Sequence, residues 1–313
     1  MSAEAIWFRN IHQLKKILEN CSLCPKKCGI NRRAGEVGFC SLTADVMMNR
    51  ALAHHGEEPP ISGTQGAGTL FMSSCNLRCV YCQNHQISHV ASGERMDTEK
   101  LSDIMLALQE IGCHNIEPVT PTPQIPQIME AFLIARRKGL HIPLVYNCGG
   151  YENPDVLKLL EGMVDVYLPD FKYGAEDVAS ACSGVGDYPQ YALESIKEMV
   201  RQVGDSLMED DGIAKRGIII RHLILPGFIS NSLEFLELIK KHISVFVPLS
   251  IMSQYTPMPS MKNHPHLGRR ITCEEYEQVI NYALDMGFET IFTQDVDDRA
   301  LAPDFEQNMP FDW

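Results

Sequence analysis

The sequence lacks a surplus of positive charge, a long apolar run, an internal repeat and any low-complexity tract. Its 313 residues carry 40 acids against 27 Lys and Arg, a formal net charge of -13. Phosphate binding needs a positive field, so this balance argues against a nucleic-acid partner. No apolar stretch approaches the about 20 residues that span a bilayer, which predicts no membrane partner. The opening MSAEAIWFRN has no basic segment followed by an apolar one. It is read as free of a secretory signal, and a cytoplasmic setting is expected. Apolar residues make up 45%, charged residues 21%, and mean hydropathy is -0.11, the balance of a folded chain. At about 150 residues per domain, the length allows one large domain or two smaller ones.

What is abundant is sulfur. The chain has 11 cysteines, an odd total. A cytosolic chain of this size folds without disulfides, so clustered thiols point to metal or redox chemistry. The 15 methionines are dispersed and read as core filler.

Residues 5–20 read as an amphipathic helix, with Trp7, Ile11, Leu14 and Leu18 on one stripe. A Cys-rich loop from Cys21 to Cys40 follows, then a Gly/Pro/Ser stretch from Gly56 to Gly68. That stretch is the best internal boundary and predicts an N-terminal helix and Cys-rich extension over 1–60 and a barrel over 61–313. Apolar, β-branched runs then alternate with helical periods. The runs lie near Thr69–Met72, Ile116–Thr120, Pro143–Tyr146, Val164–Leu168, Gly217–Leu225, Ser244–Pro248 and Glu289–Phe292. Helix starts are marked at Asp97-Thr98, at Asn153-Pro154 and by the Thr272/Glu275 capping box. Such alternation predicts an α/β fold, a parallel sheet closed into a full or partial barrel, with chemistry at the C-terminal strand ends.

Immediately after the first of these runs stands SSCNLRCVYCQN, which places Cys75, Cys79 and Cys82 at the spacing C-x3-C-x2-C. A [4Fe–4S] cluster is normally held by four thiolates. Three thiolates within eight residues grip three irons and leave the fourth open, and an open position separates a catalytic metal from a structural one. Tyr81 stands beside the last of them, able to pack an adenine or shield the cluster. The alternatives are a zinc loop or buried inert thiols.

This loop, with its aromatic before the last Cys, resembles the radical S-adenosylmethionine (radical SAM) superfamily, over about Gly66 to Gln294. Within it the chain looks most like the activating enzymes of glycyl radical enzymes, typified by pyruvate formate-lyase activating enzyme. The segments that carry this are VYNCGGYE (145–152), VDVYLPDFKY (164–173), IIIRHLILPG (218–227) and SQYTP (253–257). The resemblance implies a partial (β/α)6-type barrel and an oxidoreductase. It implies that SAM chelates the open iron and is cleaved by an electron from a low-potential donor. The fragment formed then takes a hydrogen atom, from a glycine of a glycyl radical enzyme or from another peptide substrate. A small-molecule substrate, or a non-catalytic electron-carrying module, are the rival readings.

The resemblance also places Asp170 and Lys172 near the SAM carboxylate; without it they read equally as a surface ion pair. Where the family has Gly-Gly-Glu after the second strand, this chain has EPVTPTPQIP, with Thr120, Pro121 and Thr122 in that place. A Thr hydroxyl and backbone carbonyls remain as acceptors for an ammonium. Asn147 precedes the Gly149-Gly150 pair, read either as a close approach to a ligand or as a tight turn. Of Arg221 and His222 one should face the barrel interior, with His222 read as a satisfied core residue. Cys148 and Cys182 read as buried bystanders before hydrogen donors.

The N-terminal loop places Cys21, Cys24, Cys28 and Cys40 at C-x2-C-P-x2-C-x11-C. Four thiolates are a full set for zinc or for a second Fe–S cluster, and Lys26, Lys27, Arg32 and Arg33 would offset their charge. Unligated thiols, or a nucleic-acid finger disfavoured by the overall charge, are the other readings. The Glu209–Gly212 stretch reads as a solvated turn, and the tail from Ala302 as a segment that packs its aromatics over the barrel or stays mobile.

Overall fold

The computed structural model describes residues 2–297, 302–307 and 309–311. The chain opens with α1 (Ala3–Ile17), β1 (Val46–His54), α2 (Pro59–Ser62), β2 (Ala67–Met72), α3 (His85–Ser88) and β3 (Glu94–Met96). It continues through α4 (Thr98–Glu110), β4 (Ile116–Val119), α5 (Ile125–Arg137), β5 (Val145–Cys148), α6 (Pro154–Lys158) and β6 (Val166–Pro169). Then come α7 (Glu176–Ser183), α8 (Tyr188–Val203), β7 (Leu207–Asp210), β8 (Ile213–Ile218) and β9 (Ile220–Leu223). The last elements are α9 (Ile229–His242), β10 (Leu249–Met252), α10 (Cys273–Asp285) and β11 (Ile291–Phe292).

The α/β partial barrel expected from the sequence is present. One sheet runs β3-β1-β2-β4-β5-β6-β8-β7 and another β11-β10-β9. Strands β2, β4, β5, β6 and β8 pair in parallel, as do β9, β10 and β11. An isolated parallel bridge, Asp170 to Arg221, links the two sheets. Among the described residues no ladder joins β11 back to β1, so the barrel stays open. Helices cover the outside: Ile125, Ile128, Met129, Phe132 and Ala135 of α5 are all fully buried. Truncating Phe132 to Ala there would cost about 3–5 kcal/mol. No helix of the described residues is long and apolar enough to cross a membrane.

Local signals behave as read. Asp97 caps α4, Asn153 caps α6, and Thr272 with Glu275 forms the capping box of α10. Asp211 and Gly212, both at positive φ, turn the exposed β7–β8 hairpin. Phe305 and Phe311 of the tail pack on Phe71, while Asn308, Asp312 and Trp313 lie outside the described residues.

Three strand expectations shift. The Ser244–Pro248 run is a loop; Pro248 has no N–H for a ladder and Phe246 is exposed, so the strand begins one residue later, at Leu249. The single run Gly217–Leu225 is two strands, because the partner changes from β6 to β10 at Ile219. The run at Val164 starts pairing at Val166, since the Asp165 carboxylate accepts from Leu144 N–H at 2.8 Å instead. Strand β1 was not foreseen: its VMMNRALAH has neither alternation nor β-branched density. It lies before the boundary expected near residue 60, yet pairs antiparallel with β2 beyond it. Ile11, Leu14 and Leu18 of the extension share the barrel's core.

Candidate functional site

The loop from Ser73 to Asn84 leaves the C-terminal end of β2 and curls back on itself, with Ser74 and Arg78 both in the left-handed region at φ 72° and 59°. Non-glycine residues hold that conformation at a cost, so surrounding contacts must fix it. They do. Ser74 hydroxyl donates to Cys40 carbonyl, Asn76 Nδ2 donates to Tyr151 carbonyl at 2.6 Å, and His89 Nε2 meets Cys79 carbonyl at 3.1 Å.

Each sulfur has a defined partner. Leu77 N–H donates to Cys75 Sγ at 3.3 Å, Ser183 hydroxyl to Cys79 Sγ at 3.0 Å, and Cys82 Sγ lies 3.2 Å from Ser88 Oγ. Burial, and after it the neighbouring Cys79, raises the Cys75 thiol and pushes Cys82 up to about 12. Such thiols ionise only against positive charge. Lys172 supplies some of it, since its charge acts on both Cys75 and Cys82. Among the described residues no three Cys, His, Asp or Glu side chains stand close enough for one metal ion. Thiolates on separate corners of a cluster stand further apart than thiolates on a single ion. The donor set therefore fits an iron–sulfur cluster: three soft ligands, N–H and O–H donors at the sulfurs, and a nearby ammonium.

Lys172 is itself held. It ion-pairs with Asp170. Tyr188 hydroxyl gathers the neighbouring backbone, accepting from Lys172 N–H at 2.8 Å and lying 2.9 Å from Gly149 carbonyl and 3.0 Å from Asp170 carbonyl. Burial opposes the Lys172 charge, but Asp170 and then Cys79 outweigh it and its pKa rises. Burial likewise opposes the Asp170 carboxylate, and Arg221 and Lys172 reverse that. The bridge of Asp170 and Arg221 thus doubles as an ion pair, Nε to Oδ1 2.9 Å.

Beneath lies a buried charged floor. Arg221 reaches Glu57 at 2.8 Å and Asn147 Oδ1 at 2.5 Å. Asn147 Nδ2 donates to Glu117 at 2.8 Å, and Glu117 also accepts from Thr69 at 2.7 Å. Burial, then Glu57, holds the Glu117 carboxyl well above the carboxylate range. His222, on the other face of β9, is fully buried between Phe171 carbonyl and Ser232, and burial lowers it to about 4.

The structure therefore brings Cys75, Cys79, Cys82, Tyr81, Asp170 and Lys172 to one end of the barrel. The buried Tyr81 ring packs between Tyr173, 6.3 Å away, and Tyr255, 6.1 Å away. Asn147 belongs to the floor. Thr120 sits at the adjacent end of β4 with φ 57°, its N–H on Asn147 carbonyl at 2.9 Å. A left-handed corner, which glycine takes without strain, is thus kept without glycine. Gly150 serves the protein's own packing: a Cβ there would lie 2.1 Å from Asp170 carbonyl oxygen. Cys182 is buried beside Cys79, and Val80 N–H donates to its carbonyl at 2.9 Å. Sequence reasoning missed Glu57, Glu117, Glu152 and Ser183. Glu117 alone left a signal, an acid inside an apolar strand run. Glu152 accepts from Thr122 at 2.6 Å and Tyr146 at 3.2 Å, and burial lifts its carboxyl to about 7.

Residues 69–208 match the model of the Radical SAM superfamily, a segment that contains the three cysteines, Asp170 and Lys172. That family implies a [4Fe–4S] cluster and SAM. The chain is 29% identical over 287 residues to MJ0674, an uncharacterized protein of Methanocaldococcus jannaschii, covering 89% of this chain and 78% of that protein. It is 24% identical to MJ0808, an uncharacterized protein of the same organism, covering 94% and 85%. A radical SAM methyltransferase from Sphaerobacter thermophilus shares the fold, with TM-score 0.52 and 16% identity over 75% of this chain and 69% of that one.

Proposed function

We propose that this protein is a radical SAM enzyme that removes a hydrogen atom from a polypeptide, and that the atom comes from a glycine of a partner enzyme. Cys75, Cys79 and Cys82 would hold the cluster by three irons and leave the fourth to the amino and carboxylate groups of SAM. Bound together, cluster and SAM supply one-electron reductive cleavage of a carbon–sulfur bond, the source of hydrogen-abstracting power. The chain's own residues do three things. Lys172, fixed by Asp170, offers its ammonium to the SAM carboxylate. Tyr81, between Tyr173 and Tyr255, offers an aromatic face and keeps water from the sulfurs. Arg221 holds Asp170 in place from below.

The observation that carries this reading is the convergence of three thiols and the Lys172–Asp170 pair at one barrel end. The glycine substrate rests on the resemblance of residues 145–152 and 164–173 to the activating enzymes. A low-potential one-electron donor is required. The reading also favours a reducing cytoplasm, where the 11 free thiols persist.

The test is anaerobic reconstitution with iron and sulfide, reduction by dithionite, and chromatography for 5′-deoxyadenosine. Wild type should form it and Cys79→Ala should not. A glycine-deuterated partner should pass deuterium into the product. Iron bound without any 5′-deoxyadenosine would leave an electron carrier in place of an enzyme.

A further inference from the structure

A second set of sulfurs lies outside the site just described. Cys21, Cys24, Cys28 and Cys40 all line one narrow cleft, together with Leu23, Phe39 and Arg32. The local backbone gathers them. Cys21 N–H donates to Ile30 carbonyl at 2.9 Å and Gly29 N–H to Cys21 carbonyl at 3.0 Å, closing a tight loop around the first three. Inside it Lys27, at φ 43°, donates its N–H to Cys24 carbonyl at 3.1 Å. The turn bearing Cys40 packs on the same loop: a Cβ at Gly38 would lie 2.9 Å from Cys28 Sγ.

Charge gives an independent argument. Arg32 is 1% exposed, yet among the described residues it makes no ion pair. Its guanidinium donates only to carbonyls: Leu42 at 3.1 Å, Thr43 at 2.7 and 3.1 Å, and Pro123 at 2.6 Å. A buried cation with no anion is costly. Four thiolates around a divalent cluster core leave a net negative centre in the cleft that Arg32 also lines.

We propose that Cys21, Cys24, Cys28 and Cys40 ligate a second metal centre, with Arg32 as its buried counter-charge. Because no three of these side chains stand close enough for a single ion, the centre is an iron–sulfur cluster with one thiolate at each iron. The centre is seated against the first site. Cys40 carbonyl takes the Ser74 hydroxyl, Arg78 donates to Ser41 at 2.9 Å, and Asn76, which follows Cys75, lines the same cleft. It therefore clamps the extension onto the loop that carries Cys75.

The test removes the first site and counts what remains. A full-length chain with Cys75→Ser, Cys79→Ser and Cys82→Ser is purified anaerobically, and zinc, iron and acid-labile sulfide are measured. It should keep about four irons with matching sulfide. Adding Cys24→Ser and Cys40→Ser should bring both toward zero. X-ray absorption at the edge of the retained metal, on the chain whose N-terminal cysteines are intact, should show a sulfur-only protein ligand set. This last measurement does not depend on the five-site variant folding. Absence of iron and sulfide from the triple variant, zinc in their place, or nitrogen and oxygen in the ligand set, overturns the proposal. The triple variant cannot cleave SAM by design, so failure of the radical SAM reading and failure of this one are read separately.

Discussion

The loop at Cys75–Cys82 grows directly from β2, and each of its sulfurs meets a hydrogen-bond partner from its own loop or the elements around it: Leu77, Ser183 or Ser88. The loop at Cys21–Cys40 joins no ladder among the described residues and shapes itself by its own turns. The first has a deep electrostatic seat, in which Lys172, Asp170, Arg221 and Glu57 alternate in sign. The second rests at the rim, where Lys26 Nζ lies 4.2 Å from the Phe39 ring centre and Arg78 Cζ 4.8 Å. The difference teaches where each loop gets its order. One borrows it from the barrel, and the other takes it from its own turns and from single bonds such as Arg32 to Pro123 carbonyl and Asn153 to Ser22 carbonyl.

Four perturbations sharpen that contrast. Cys79→Ala should have the largest effect, taking 5′-deoxyadenosine formation to background in the anaerobic assay. Arg221→Met would strip the counter-charge from Glu57 and Asp170, and urea denaturation should read a loss of about 3–5 kcal/mol. If the loss were instead within 1 kcal/mol, the seat would not order the first loop.

Glu152 stands between the two loops, hydrogen-bonded to Thr122 and acting electrostatically on Cys24. Its carboxyl titrates at about 7 in the fold against an ordinary 4.5. The folded chain thus binds this proton more tightly than the unfolded one. The stability so gained is full below pH 4.5 and declines as pH rises, gone above about pH 7. The swing is about 3 kcal/mol. Glu152→Gln should flatten that slope in denaturation curves taken across this range. Smallest is Phe39→Ala, which removes the ring under Lys26 and Arg78. Thermal unfolding should report about 0.5–1 kcal/mol for each lost contact, with most of the change at the rim in hydrogen exchange.

Much of this was legible in the sequence because it is local. The stripe of Ile11, Leu14 and Leu18, the Thr272/Glu275 box and the spacing of Cys75, Cys79 and Cys82 are all set within a few residues. The seat was not legible, because its bonds join distant parts of the chain. Arg221 and Glu57 are 164 residues apart and Ser183 and Cys79 are 104 apart. Strand β1 escaped because its face is decided by β2, not by its own alternation. Glu57 read as part of a loose connector, and only burial against Arg221 gives it a role.

The left-handed corner at Thr120 has a further consequence. A β-branched residue there carries about 1–3 kcal/mol of backbone strain, already met on folding. The rim of β4 is consequently given its shape on folding, held by the Thr120 N–H on Asn147 carbonyl. Thr120→Gly would relieve that strain while giving the unfolded chain more freedom to lose, so the two effects oppose one another at this corner.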